Sequence, residues 1–222
     1  MIECIKCGMT NCYIVSQGDG AALVDTGTAK YRNRVLARCR AAGVGLIALT
    51  HGHYDHAQNA AFLARELGVP VAMHPADVPL LEDILAEPME GHQPLGRAMA
   101  AFIRLTQGPR LKNLVERVLK NGIPPFAPDI ELRDGFSLEP YGVEAQVVAL
   151  PGHTRGSVGL LAGRDLLAGD ALMHIGRPGG ALHYADRAGM EASAARIGAL
   201  GDVTIWFGHG GPVRNRAWQL QG

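Results

Sequence analysis

The segment Thr50-His51-Gly52-His53-Tyr54-Asp55-His56 gathers three imidazoles and a carboxylate within seven residues. In an extended loop the side chains of His51 and His53 fall on one side, so the two imidazoles can meet one cation. Asp55 and His56 stand where a helix begins and the chain turns, which directs them to a second position beside the first. A carboxylate with an imidazole suits a divalent first-row metal. Neither position closes on these residues alone, because a zinc-type centre takes at least three protein ligands. His153 in Leu150-Pro151-Gly152-His153-Thr154, Asp170 in Ala168-Gly169-Asp170 and His209 in Phe207-Gly208-His209-Gly210 are the candidates to complete them. Each follows an apolar β run and is preceded by glycine. Loops at the ends of strands in a rigid sheet are where binding residues gather.

The elements that must position these residues follow from period and punctuation. Cys12–Ser16, the turn at 18–20 and Ala21–Asp25 read as a β-hairpin. Ala29–Ala42 has helical spacing (Tyr31, Val35, Leu36, Cys39) and is ended by Gly43. Leu46–Thr50 is a short strand, a helix runs from Asp55 through Leu67 to Gly68, and Val69–His74 is a further strand. His74 reads as a strand-end histidine. From Pro75 to Pro128 helical periodicity dominates, broken by prolines, which predicts a helical insert over residues 75–128. His92, inside it, is expected to face solvent. Strands resume at Ile130–Leu132, Val143–Leu150, Ser157–Leu161 and Asp165–Ala168, followed by a helix over Ala188–Leu200 and a last strand over Val203–Phe207. The Gly-rich stretch Asp170–Asp186 reads as a loop that lines a pocket, with His183 and Tyr184 as substrate contacts beside Tyr54 of the first motif.

Composition bounds the class. A chain of 222 residues, 47% hydrophobic and 19% charged, is an ordinary globular chain, expected to form a single domain over residues 1–222. Its 21 basic and 21 acidic residues cancel, so no global field attracts nucleic acid or anionic lipid. Apolar runs such as Val44–Leu49 are far too short to span a bilayer. The start MIECIKCGMTNC lacks the pattern of a secretory signal, so the expected location is cytoplasmic. Cys4 and Cys7 form a CxxC without a second pair, and with Cys12 and Cys39 they are read as structural thiols rather than a zinc site or disulfides.

Taken in order, HGHYDH, PGHT, the Gly169-Asp170 pair and the final GHG resemble the metallo-β-lactamase superfamily, and Val24-Asp25-Thr26-Gly27 looks like that family's early DTG. The resemblance runs from about Asn11 to Pro212. It implies an αββα sandwich with the site at one edge between the sheets. It also implies that His51, His53 and His153 hold a first metal, that Asp55, His56 and His209 hold a second, and that Asp170 bridges both. Asp25 would orient a histidine ligand from behind. Two divalent ions about 3.5–4 Å apart, zinc first with iron or manganese as alternatives, would share a water and lower its pKa from near 16 to about 7. That hydroxide would attack an ester, thioester or lactone, with Asp55 and Asp170 the carboxylates at the chemistry.

Departures narrow the substrate. An acid at position 170 resembles the glyoxalase-II-like and lactonase branches rather than the β-lactamases. Only 13 residues follow His209, short of the C-terminal helical region with which long-form glyoxalase II binds glutathione. A second class uses His51 or His53, His153 and Asp170 as the two-His, one-carboxylate face of a mononuclear iron persulfide dioxygenase. A nuclease and a non-catalytic binding protein rank lower, on the neutral charge and the full set of seven ligands. The expected partner is a small-molecule substrate, with no nucleic acid and no membrane; a homo-oligomer is left open.

Overall fold

Strands buried on both faces need near-continuous apolar runs, and Ala21–Val24 and Val44–Ala48 have them. The computed structural model describes residues 1–83, 86–87, 91–92 and 122–218. The chain begins with β1 (Ile2–Cys7), β2 (Thr10–Ser16), β3 (Ala21–Val24), α1 (Arg32–Ala42), β4 (Val44–Ala48), α2 (Tyr54–Ala57), α3 (Ala60–Leu67), β5 (Val71–Met73) and α4 (Val78–Glu82). After β6 (Gly91–His92) come β7 (Ile130–Glu131), β8 (Gln146–Ala149), β9 (Val158–Ala162), β10 (Asp165–Gly169), β11 (Leu172–Ile175), β12 (Arg177–Gly180) and β13 (His183–Tyr184). The helix here numbered α5 (Arg187–Ala199), β14 (Thr204–Phe207) and β15 (Val213–Arg214) complete it.

One sheet has the order β1-β2-β3-β4-β5-β7, antiparallel over its first three strands and parallel from β3 onward. The other has the order β15-β14-β10-β9-β8, with β10 and β14 parallel. Alternation along β2 shows the layering: Tyr13 and Val15 face the second sheet, while Cys12 and Ile14 face helices. Between the sheets Val24, Leu46 and Ala48 pack with Val147, Val158, Leu160 and Leu167. Val35, Leu36 and Cys39 of α1 and Ala60 and Leu63 of α3 cover the first sheet's outer face. Ala194 and Ile197 of α5 cover Val148, Leu150, Leu166 and Phe207 on the second. The result is the expected αββα sandwich. Leu46 and Leu160 are wholly buried, and truncating either to alanine would cost about 2–5 kcal/mol. Among the described residues no helix is long and apolar enough to cross a membrane.

Three expectations are corrected. The Asp55–Leu67 helix is interrupted at Gln58–Asn59, because buried Asn59 turns its side-chain amide to the carbonyls of Thr26, Gly27 and Thr28 instead of continuing α2. The stretch Asp170–Asp186 is not a loop: β11 and β12 pair antiparallel, and β13 pairs with β6. The strand β1 precedes the hairpin that the sequence reveals. Of the helical insert, the 3-10 turn Pro75–Asp77, α4 and the approach to β7 are described; its core positions Met99, Phe102, Leu111 and Leu114 and the side chain of His92 lie outside the described residues. All four cysteines are free thiols, with Cys7, Cys12 and Cys39 buried between the first sheet and α1 and Cys4 exposed. His74 ends β5, its Nδ1 accepting from the Ala76 N–H at 3.2 Å.

Candidate metal centre

β3 and β4 run parallel in one sheet, β8, β10 and β14 run parallel in the other, and the loops that follow these five strands meet at one end of the sandwich. They carry, in order, Asp25, the His51–His56 segment, His153, Asp170 and His209. Three groups of donor atoms come within 4.8 Å of one another: His51 with His53 and His153, His51 with His56 and Asp170, and Asp55 with His56 and His209. All seven residues predicted as ligands are therefore brought together.

The imidazoles are aimed by what lies behind them. His56 donates from Nδ1 to Asp25 Oδ2 (2.8 Å), His153 from Nδ1 to the His183 carbonyl (2.8 Å), and His209 from Nδ1 to the Met9 carbonyl (3.0 Å). Carbonyls and carboxylates only accept, so these bonds fix a proton on Nδ1 and turn Nε2 inward, toward the centre. His51 is held the same way at one remove. Thr50 Oγ1 gives its hydrogen to Asp25 and sits 3.0 Å from His51 Nδ1. His53 meets the cluster through Nδ1, 2.9 Å from His153 Nε2.

Asp170 lies between the two groups of three. Its Oδ2 is 3.7 Å from His153 Nε2, 3.6 Å from His56 Nε2 and 3.2 Å from His209 Nε2. The buried Nε2 atoms of His51 and His56 and Oδ1 of Asp170 have no hydrogen-bond partner. Buried polar atoms are almost always paired, so three orphans at one point mark a place built for something that accepts lone pairs. Nitrogen and carboxylate donors in this mix suit a divalent first-row cation, and the residues fit that group.

The electrostatics divide the cluster. Burial and the neighbouring imidazoles of His56, His53 and His153 hold His51 well below the ordinary histidine range, and burial with His153 pulls His53 down to about 3. His56 and His209 go the other way. Burial opposes their charge, but Asp170 and Asp55 outweigh it, raising His56 well above its usual value and His209 to about 10. Asp170 and Asp55 are held below the usual carboxylate range despite burial, His56 and His209 supplying the opposing charge.

Asp25 was expected to orient a histidine, and it contacts His56 and Thr50 together, accepting the Thr50 N–H at 2.8 Å. It does so from the left-handed region, at φ 59°, an uncommon conformation that aspartate tolerates better than most residues. Thr10 donates from Oγ1 to Asp55 Oδ2 at 2.8 Å. Sequence reading missed Thr10, Thr50 and the Met9 carbonyl, since hydroxyls and main-chain groups carry no spacing signal. Of the three predicted substrate contacts, Tyr54 is half-buried at the start of α2. His183 supplies the carbonyl that holds His153, and Tyr184 packs toward Met173, Ala181 and Met190.

Comparison with known proteins agrees with this construction. Rv2581c, an uncharacterized protein of Mycobacterium tuberculosis, is 31% identical over 152 residues, covering 67% of this chain and 58% of that protein. The chain thus spans under two thirds of the length of that relative. The hydroxyacylglutathione hydrolase of Shewanella pealeana is 25% identical over 195 residues, 86% of this chain and 52% of that one. The solved structure of TTHA1623 in a di-iron-bound form is similar with a TM-score of 0.67 at 27% identity, over 96% of this chain and 94% of the other. The family model described as the metallo-beta-lactamase superfamily matches residues 5–209, and on that match, with the sandwich and its ligand loops, the chain belongs to this superfamily.

Proposed function

We propose that the chain is a metal-dependent hydrolase that holds two divalent ions at the sandwich end and cleaves a small ester, thioester or lactone in the cytoplasm. The observation that carries this reading is the placing of Asp170 Oδ2 between two groups of donors, with orphaned nitrogens of His51 and His56 beside it. His51, His53 and His153 would hold one ion and Asp55, His56 and His209 the other, with Asp170 facing both. Zinc, iron or manganese in these places would supply hydroxide near neutral pH and polarise a carbonyl oxygen. The protein's own part is orientation. Asp25 and the His183 and Met9 carbonyls keep the Nδ1 protons of His56, His153 and His209 away from the centre, and Thr10 fixes the Asp55 carboxylate. Tyr54, His183 and Tyr184 would contact a small-molecule substrate. The likeness to a hydroxyacylglutathione hydrolase supports the thioester arm, and the di-iron form of TTHA1623 supports two ions.

Elemental analysis of the purified protein, followed by an ester, thioester and lactone panel with and without chelator, tests this. Near two ions per chain and chelator-sensitive hydrolysis are expected. About one iron per chain, oxygen uptake with glutathione persulfide and no hydrolysis would overturn it in favour of a mononuclear iron dioxygenase.

A further inference from the structure

Just beyond β5 sits a carboxylate that the chemistry above does not use. Asp77 closes the 3-10 turn Pro75–Asp77 and is fully buried. Its Oδ2 accepts from the Gly52 N–H at 2.9 Å and from Thr154 Oγ1 at 2.8 Å, and its Oδ1 accepts from the Gly156 N–H at 2.6 Å. Gly52 stands between His51 and His53, and Thr154 follows His153. One side chain therefore joins the loop after β4 to the loop after β8, and through them all three imidazoles of the first group. Hydrogen bonds to an ionised acceptor are shorter and stronger than neutral ones, so this joint is stiff.

Two further observations point to the same joint. A Cβ on Gly52 would stand 2.7 Å from the Asp77 carbonyl oxygen and 2.8 Å from Leu80 Cβ, and one on Gly156 would stand 2.5 Å from Asp77 Oδ1. Only glycine at both places lets the carboxylate reach both main chains. Thr154 is also locked in rotamer: Ser157 Oγ lies 2.7 Å from Thr154 Oγ1 and accepts the Thr154 N–H at 3.1 Å. With its own hydrogen given to Asp77, the Thr154 hydroxyl accepts from Ser157.

We propose that Asp77 is a positioning residue of the metal centre, fixing the distance between the His51–His53 pair and His153 and thereby the affinity and geometry of the ion those three hold. The proposal rests on the metal-centre reading above. It is tested by titrating cobalt(II) into metal-free wild type, Asp77→Ala, Asp77→Asn and Thr154→Val, following the visible absorption of bound cobalt, with circular dichroism and melting temperature recorded alongside. Wild type is expected to take up two equivalents. Asp77→Ala is expected to bind one of them roughly 10- to 100-fold more weakly with an altered band shape, and the other within about threefold of wild type. Asp77→Asn should fall between, since its amide oxygen still accepts from Gly52 and Thr154 while its NH2 meets the Gly156 N–H. Thr154→Val should show a smaller loss at the same ion. Equal affinities and identical spectra in wild type and Asp77→Ala overturn the proposal, as does equal weakening of both ions. A wild type that takes up no cobalt overturns the metal-centre reading instead. Should Asp77→Ala fail to fold, Asp77→Asn and Thr154→Val carry the test, and unchanged cobalt binding in both overturns the proposal.

Discussion

The two halves of the centre both rest on imidazoles and sit in opposite electrostatic states. Around His51, His53 and His153 the nearest groups are other imidazoles, and burial pulls His51 and His53 below the range in which they would carry a proton at neutral pH. Around His56 and His209 three carboxylates crowd in, and both imidazoles are pulled upward, His209 to about 10. Residue type therefore does not decide whether a histidine is ready to bind a cation; the charge of its neighbours does. His51 and His53 are already deprotonated, whereas the other half balances its carboxylates with protons that an incoming ion must displace.

Removing a donor from the deprotonated half breaks the comparison most severely. His53→Ala is expected to lose one ion per chain and to lower activity by well over about 100-fold, beyond the range typical of supporting residues. Elemental analysis with kinetics checks this, and full activity at normal metal content would contradict the role of His53. Asp25→Ala strikes the other half from behind. It strands the Thr50 N–H and the His56 Nδ1–H in a buried site, for a loss of about 3–5 kcal/mol in denaturant unfolding and a roughly 10- to 100-fold weaker second ion. Thr10→Val removes only the donor to Asp55 and should weaken that ion by no more than about tenfold, leaving the first unchanged.

The smallest signal is in protons. Calorimetric titration of metal in buffers of different ionisation enthalpy, at pH 7.5 to 8.5, should show release on filling the Asp55, His56 and His209 half and almost none on filling the other. The metal-free protein should show the matching pH dependence. His209, raised in the folded state, contributes stability that is fully present below its ordinary value near 6.5 and is lost as pH rises through about 10. His53, lowered to about 3, acts in reverse, and its contribution falls as pH drops from about 6.5 toward 3. Equal proton release from both halves would erase the distinction.

Legibility in the sequence differed between the same regions. Four of the seven donors lie within six residues, so His51, His53, Asp55 and His56 declare themselves by spacing. His153, Asp170 and His209 arrive singly from three loops, and only the order of their Gly-containing motifs, read as a family resemblance, ties them to the first four. The inner strands of the two sheets, such as β3, β4, β9 and β10, were readable to within a few residues because they are buried on both faces. What hid was built from polar or glycine-rich chain. β1 (IECIKC) is an edge strand carrying Glu3 and Lys6, β11–β12 contains Gly176, Pro178, Gly179 and Gly180, and the break after α2 depends on what Asn59 reaches in a distant loop. Asp77 carries no local signal, since its three donors come from residues 52, 154 and 156.

The contact of the β1–β2 tip with the last loop has a temporal meaning. Thr10 bridges His209, and Asn11 donates its side-chain amide to the carbonyls of Phe207 and Gly210, partners almost two hundred positions away along the chain. During synthesis the His51–His56 segment emerges long before His209, so the nascent chain offers a partial claw of imidazoles with its final wall missing. Closure of the longest loops comes late in folding. The half that holds His209 is thus completed only once β14 and the loop after it have left the ribosome, so the two halves of the centre mature one after the other rather than together.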